Sequence, residues 1–278
     1  MIPLNKEVVL YGNERKSMKA IFDTHVHYDD DAFEEDRDEV IRGLLERGVA
    51  KAVDVGASIA SSKKALELAH QYEHIYCALG VHPEEARDLD EEGMQWLQEH
   101  LLDDKCVALG EIGLDYHWKD VPPEIQKDVF IRQLQLAKEK DLPVIVHSRE
   151  AARDTADILK QYHNGCGVIH CFSYAKEMAM EFLDMGYYIG IGGVLTYKNA
   201  KKLVEAAQAI PMERIVLETD GPYLSPEPLR GKRNTSPNIA YVITRLAQIK
   251  EITEEEVREY AWENAHKLYD ITISNIFS

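Results

Sequence analysis

The sequence predicts an α/β fold of the (β/α)8 barrel type, with a short N-terminal extension and an extra C-terminal helix. Three observations lead there. Short runs rich in Val, Ile and Ala alternate with amphipathic stretches of helical length, the pattern of βα units. Eight such pairs follow one another, and 278 residues suit a barrel of about 250 residues with additions at its ends. Polar side chains able to bind metal recur where these runs end, all around the chain. A doubly wound open sheet, the alternative, would gather them near one switch point.

Taken in order, residues 1–17 precede the first unit and read as an added hairpin or arm. The first strand, Ile21 to His27, leads to a helix from Phe33 to Arg47. Lys51 to Val55 pairs with a helix from Ser61 to Tyr72, and Ile75 to Leu79 with one from Glu91 to Leu101. Cys106 to Glu111 is followed by Glu124 to Lys140, and Pro143 to His147 by Ala151 to Tyr162. Val168 to His170, Tyr187 to Ile191 and Ile215 to Asp220 complete the strands, with helices Lys176 to Met185, Asn199 to Ala209 and Ile239 to Ile249. Val144-Ile145-Val146 and Ile215-Val216-Leu217 are apolar without interruption, as expected of strands covered on both faces. Thr253 followed by Glu256 is a capping box that opens a closing helix to Tyr269. No repeat, linker or low-complexity tract divides the chain, so 1–278 reads as one domain.

A hydrophobic fraction of 45% and a charged fraction of 29% describe a soluble globular protein. No stretch approaches the roughly 20 apolar residues of a membrane span. The first residues, Met1-Ile2-Pro3-Leu4-Asn5-Lys6-Glu7, lack the basic segment and apolar core of a signal peptide, so a cytoplasmic location is expected. Cys77, Cys106, Cys166 and Cys171 form no Cys-x-x-Cys pair and read as structural thiols in a reduced compartment. The net charge of −17 argues against a broad basic surface that coats nucleic acid. Small or end-bound anions remain acceptable, because metal ions would concentrate positive charge at one spot.

Alternation along a strand puts His25 and His27 on one face, where two imidazoles can grip one ion. Asp23 shares that face and is expected to orient a ligand imidazole. Glu111 ends an apolar strand, and a carboxylate buried there must be paired or metal-bound. His147 and His170 end two further strands, and Asp220, with Glu218 behind it as support, ends the last. Six such ligands, His25, His27, Glu111, His147, His170 and Asp220, exceed what one tetrahedral ion requires and point to a two-metal hydrolytic site. His82, just after the third strand, is placed to touch substrate, and Arg149 at the rim to bind phosphate bidentately. The basic loop Arg230 to Asn234 is a phosphate site or a solvated loop in equal measure, and Asp115 and Tyr116 either reach substrate or pack beneath their loop. His70, His74, His100, His117, His163 and His266 read as surface or capping residues.

The chain resembles the TatD family of metal-dependent deoxyribonucleases, within the amidohydrolase-like barrels, over about residues 18–272. The motifs that carry the resemblance are Asp23-Thr24-His25-Val26-His27, Gly80-Val81-His82-Pro83, Gly110-Glu111-Ile112-Gly113-Leu114-Asp115-Tyr116, His147-Ser148-Arg149, His170-Cys171-Phe172-Ser173, Gly192 to Lys198 and Glu218-Thr219-Asp220. The resemblance implies that His25, His27, Glu111 and Asp220 hold one ion and Glu111, His147 and His170 the other. It departs at Thr235-Ser236-Pro237, where many relatives carry a Glu-Pro pair. The expected activity is hydrolysis of DNA phosphodiesters at single-stranded or frayed ends, with Asp220 as general base and Glu111 keeping the ions together. The ions are two divalent cations, and His and carboxylate ligands suit Mg, Mn, Zn, Ni or Fe. Rival readings are an ester hydrolase acting on another substrate such as aminoacyl-tRNA, and a non-catalytic barrel that binds metal or a partner.

Overall fold

Eight parallel strands pair in sequence order, each with the next. They are β1 (Ile21–Val26), β2 (Val49–Val55), β3 (Ile75–Leu79), β4 (Cys106–Asp115), β5 (Val144–Arg149), β6 (Gly167–Ile169), β7 (Tyr188–Ile191) and β8 (Ile215–Leu217). This computed structural model describes residues 20–162 and 165–272. The extension expected at 1–17 and the reading of His163 lie outside them.

The ring closes just past β8, where Val26 bridges Gly221. There the Asp220 N–H donates to the His25 carbonyl (2.9 Å) and the His27 N–H to that of Gly221 (2.7 Å). Helices follow the strands: α1 (Arg37–Arg42), α2 (Ile59–Gln71), α3 (Glu91–His100), α4 (Pro123–Lys140), α5 (Ala152–Tyr162), α6 (Lys176–Asp184), α7 (Lys201–Ala209) and α8 (Ile239–Lys250). The additional helix is α9 (Glu254–Leu268), and it starts with the capping box expected at Thr253 and Glu256.

Buried apolar residues form two layers. Along β5, Ile145 belongs to one and Val144 and Val146 to the other; along β8, Val216 parts in the same way from Ile215 and Leu217. This is the period-2 alternation of strands packed on both faces. The smaller layer, with Phe22, Val53, Ala108 and Val168, ends against Trp262, Ala265, Leu268 and Tyr269 of α9 and its end. The α9 side chain Asn264 donates to the carbonyls of Met212 and Ile215, both at 2.7 Å. The helix therefore seals the end of the barrel at which β8 begins.

Three expectations are corrected. The helix from Phe33 to Arg47 is instead a 3-10 turn at Asp31–Phe33, the short α1, and another 3-10 turn at Leu45–Arg47. Gly43 ends α1 and Gly48, at φ 80°, takes the left-handed conformation that stops the segment. The last strand stops at Leu217, three residues short of Asp220. His266 is buried: its Nε2 accepts from Lys51 Nζ (3.1 Å) while Nδ1 donates to the Trp262 carbonyl (2.7 Å).

Candidate metal centre

His25 and His27 project from the C-terminal end of β1 to the same side, as alternation requires, and their Nε2 atoms face each other at 3.1 Å. His27 Nδ1 lies 2.7 Å from the Val55 carbonyl, an acceptor, so Nδ1 carries the proton and a neutral ring keeps its Nε2 lone pair for a cation. Asp220 reaches the same point, with Oδ1 3.4 Å from His27 Nε2 and 3.7 Å from His25 Nε2. It gets there through a left-handed backbone, φ 56°, and its hydrogen bond to His25, because it lies beyond the strand. Strand alternation from Glu218 does not place it.

Glu111 stands at the centre, within β4. Its Oε2 is 3.4 Å from His25 Nε2 and 3.8 Å from His27 Nε2. Its Oε1 is 2.8 Å from both His147 Nδ1 and His170 Nε2, and 3.7 Å from His82 Nε2. One carboxylate thus divides its two oxygens between two groups of imidazoles. His25 and His170 stack at 3.9 Å between them. Among the described residues four clusters have ligand atoms close enough to share an ion, and three of them lie here: His25, Glu111 and His170; His25, His27 and Asp220; His82, Glu111 and His147; the fourth, His70, Asp103 and Asp104, is on the surface.

The electrostatics match a cation site. Burial alone would raise the Glu111 carboxyl, but the imidazoles of His170, His82 and His147 hold it well below the usual range. Burial and the neighbouring His170 push His25 down to about 4. For His27 burial acts in the same direction, but Asp220 and Glu111 outweigh it and raise it to about 10. At 3.1 Å the proton that the raised His27 carries is shared with His25 Nε2, and a divalent ion that displaces it takes both lone pairs. The His25 Nδ1 and His170 Nδ1 atoms are buried without a hydrogen-bond partner. A nitrogen and oxygen donor set of this kind fits divalent metals.

The remaining site residues separate by what they touch. Asp23 does not orient an imidazole as expected; its carboxylate accepts from the Thr219 N–H (3.0 Å) and hydroxyl (2.5 Å), fixing the turn that carries Asp220. Glu218 does give support, accepting from the Cys171 N–H (2.5 Å) beside His170, and burial pushes it up to about 7. Gly190 makes room for it, since a Cβ there would strike the Glu218 carboxyl. His82 Nδ1 accepts from the Glu84 N–H (3.2 Å), so a neutral His82 presents an Nε2–H donor to the cavity. Arg149 lines the cavity and lies over the Trp118 ring (5.7 Å). Arg233 does not serve the cavity, because its guanidinium is paired with Asp36 at 2.6–2.7 Å.

Two features escape a reading of the chain alone. Asp115 holds His147 Nε2 at 2.9 Å, so that ring is gripped by a carboxylate at each nitrogen. Their neighbourhood comes from the pairing of β4 with β5, where Gly113 stands opposite His147. Trp118 and Tyr223 line the same cavity of about 750 Å³ from loops after β4 and β8. A tryptophan among polar residues just past the Asp115-Tyr116 motif was the available signal for the first.

The family model for TatD related DNase matches residues 22–270. The chain belongs to the TatD family. It is 42% identical over 253 residues to the metal-dependent hydrolase YabD of Bacillus subtilis, an alignment covering 90% of this chain and 99% of that protein. It is 33% identical over 264 residues to the metal-dependent hydrolase YcfH of Escherichia coli K12, covering 93% and 98%. The crystal structure of the TatD homolog YjjV from the same organism superposes with a TM-score of 0.87 at 32% identity, over 92% of this chain and all of that one. This TatD protein is a metal-dependent hydrolase built on the family's barrel. Among its described residues no helix is long and apolar enough to cross a membrane.

Proposed function

We propose that this TatD protein is a deoxyribonuclease that hydrolyses phosphodiesters at single-stranded ends, using two divalent ions held by His25, His27, Glu111, His147, His170 and Asp220. The observation that carries the reading is the division of the Glu111 oxygens between two sets of imidazoles. Divalent ions would be held by His25, His27 and Asp220 on one side and by His147 and His170 on the other, with Glu111 shared between the two sets. Bound there, divalent ions supply Lewis acidity toward a phosphate ester and make water nucleophilic near neutral pH.

The chain's own residues do the rest. Asp220 faces the cavity and is the group to accept the proton of the attacking water. Its carboxyl is held below the ordinary range: burial opposes this, but His27, His170 and His25 outweigh it, so it is a base at neutral pH. The His82 Nε2–H and the Arg149 guanidinium are donors for the non-bridging phosphate oxygens. The enclosing network of Asp23, Thr219 and Glu218 keeps Asp220 and His170 from shifting as charge moves.

The test is turnover of a short single-stranded DNA labelled at one end, with metal content measured on the same samples. Wild-type protein should bind two divalent ions and release terminal nucleotides. Asp220→Asn should lower kcat roughly 10²-fold or more after metal is restored, the scale of a lost general base. Arg149→Ala should raise KM while leaving bound metal unchanged. One ion at saturation removes the bridge, and full activity of Asp220→Asn removes the base. Inactivity on DNA together with hydrolysis of carboxylic esters such as aminoacyl-tRNA would move the reading to another substrate.

A further inference from the structure

Among the described residues the large apolar side chains left exposed are Leu45, Leu102, Trp118, Tyr223, Leu224 and Tyr241. Half of these six, Trp118, Tyr223 and Leu224, line the cavity that contains the metal-binding cluster. Scattered single apolar residues need no explanation, but their concentration at the mouth of a polar cavity does. Trp118 follows β4 and Tyr223 follows β8. Four places apart in a closed ring of eight, these strands put the two rings on opposite sides of the mouth.

Each ring is held in place by polar neighbours and not by core packing. The Trp118 ring meets that of His117 edge-on at 4.9 Å and the Arg149 guanidinium lies over it at 5.7 Å, while the backbone N–H of Trp118 donates to Asp115 Oδ1 (3.1 Å) and anchors the loop. Half of Trp118 remains exposed. The Tyr223 hydroxyl donates to Asp30 Oδ2 (2.6 Å), and its ring meets that of His27 edge-on at 6.2 Å. Tyr223 is 52% exposed. Aromatic faces beside a guanidinium and a cluster for divalent ions form a paired recognition surface, one part for a planar ring and one for an adjoining phosphate.

We infer that Trp118, with Tyr223 across the mouth, is a stacking subsite for the terminal base of a single strand, placing the adjoining phosphodiester against Arg149 and the metal cluster. The inference rests on the phosphodiesterase reading above and adds the part of the substrate that is recognised. A base paired inside a duplex has both faces covered, and one at a paired end has its inner face stacked and its edge bonded to the opposite strand, so a subsite that takes a base between two rings selects unpaired ends. Stacking is blind to hydrogen-bonding edges, so ends should be accepted whatever their base.

The test compares a short phosphorothioate-linked strand ending in thymidine with one ending in 5,6-dihydrothymidine, which keeps the hydrogen-bonding edge but loses the flat aromatic face. Binding to the metal-loaded protein is read by anisotropy of a dye at the far end. Wild type should bind the planar end roughly tenfold or more tightly, the scale of one stacked base. Trp118→Ala should remove that preference, Trp118→Phe should keep most of it, and Tyr223→Ala should reduce it. Equal affinities in wild type, or an undiminished preference in Trp118→Ala, overturn the inference. Hydrolysis of the unmodified strand by the same samples separates the two readings. Base-dependent binding without hydrolysis leaves the subsite and removes the nuclease, and hydrolysis without base dependence does the reverse.

Discussion

Asp54 is fully buried at the end of β2, its Oδ1 accepting from the N–H groups of Tyr28 (2.7 Å) and Asp29 (3.3 Å), and its Oδ2 without a partner. Burial and the charge of Asp29 raise its carboxyl well above the ordinary value of 3.8. A raised acid holds its proton in the folded state after the unfolded chain has lost it. Stability is therefore unpenalised below about pH 4 and declines as pH rises toward the folded value. Asp54→Asn is neutral throughout and keeps the Oδ1 acceptor. It should gain stability relative to wild type as pH increases over that interval, read as the difference between their melting temperatures. Parallel curves would show that Asp54 ionises in the folded protein as it does in the unfolded one. At this same scale the cluster histidines were legible, since a strand end is a place a sequence marks with an apolar run, whereas the position of Asp220, three residues past β8, depends on its left-handed backbone and its bond to His25. The grip of Asp115 on His147 was not legible, because it depends on which residues of two strands stand opposite each other. Trp118 and Tyr223 lie in loops whose approach is set by ring closure and by no local pattern.

Strands were the most legible elements, and β3 matches its expected bounds, because a run such as Ile75 to Leu79 is covered on both faces and punctuated by polar residues. The stretch from Phe33 to Arg47 has enough helix-forming residues to suggest one helix, but two forces divide it. Arg37 donates to the carbonyls of Tyr28, Asp29 and Asp30, which fixes the start, and the glycines at 43 and 48 release the end. The closing helix was legible from its cap, yet its purpose was not. Asn264 on α9 donates to the carbonyls of Met212 and Ile215 at the end of the barrel away from the metal cluster, the first of which also accepts the Ile215 N–H. Asn264→Ala removes two buried hydrogen bonds and should cost roughly 1–3 kcal/mol of stability. Chemical denaturation should show this loss, while metal stoichiometry and turnover of the folded protein stay at wild-type values. A loss of metal in this variant would mean that α9 reaches the site through the barrel.

For the whole molecule the governing quantity is the net charge of −17, which disfavours a polyanion laid across the surface. The basic residues that could have made a track are partly committed elsewhere, Arg233 to Asp36 and Arg153 and Lys160 to Glu181. A strand held at one end by Arg149, the metal cluster and a stacked base makes few phosphate contacts, so few counterions leave when it binds. Log affinity should fall with log salt at a slope of about −0.7 for each phosphate held on a single strand, giving roughly −1 to −2 in all. Stacking does not release counterions, so Trp118→Ala should weaken binding without changing the slope, whereas Arg149→Ala should make it shallower by close to one contact. The slope should also stay constant as the strand is lengthened beyond the nucleotides that fill the cavity. A slope that steepens with every added nucleotide would reveal a basic path across the surface, and binding would then belong to the length of the strand and not to its end.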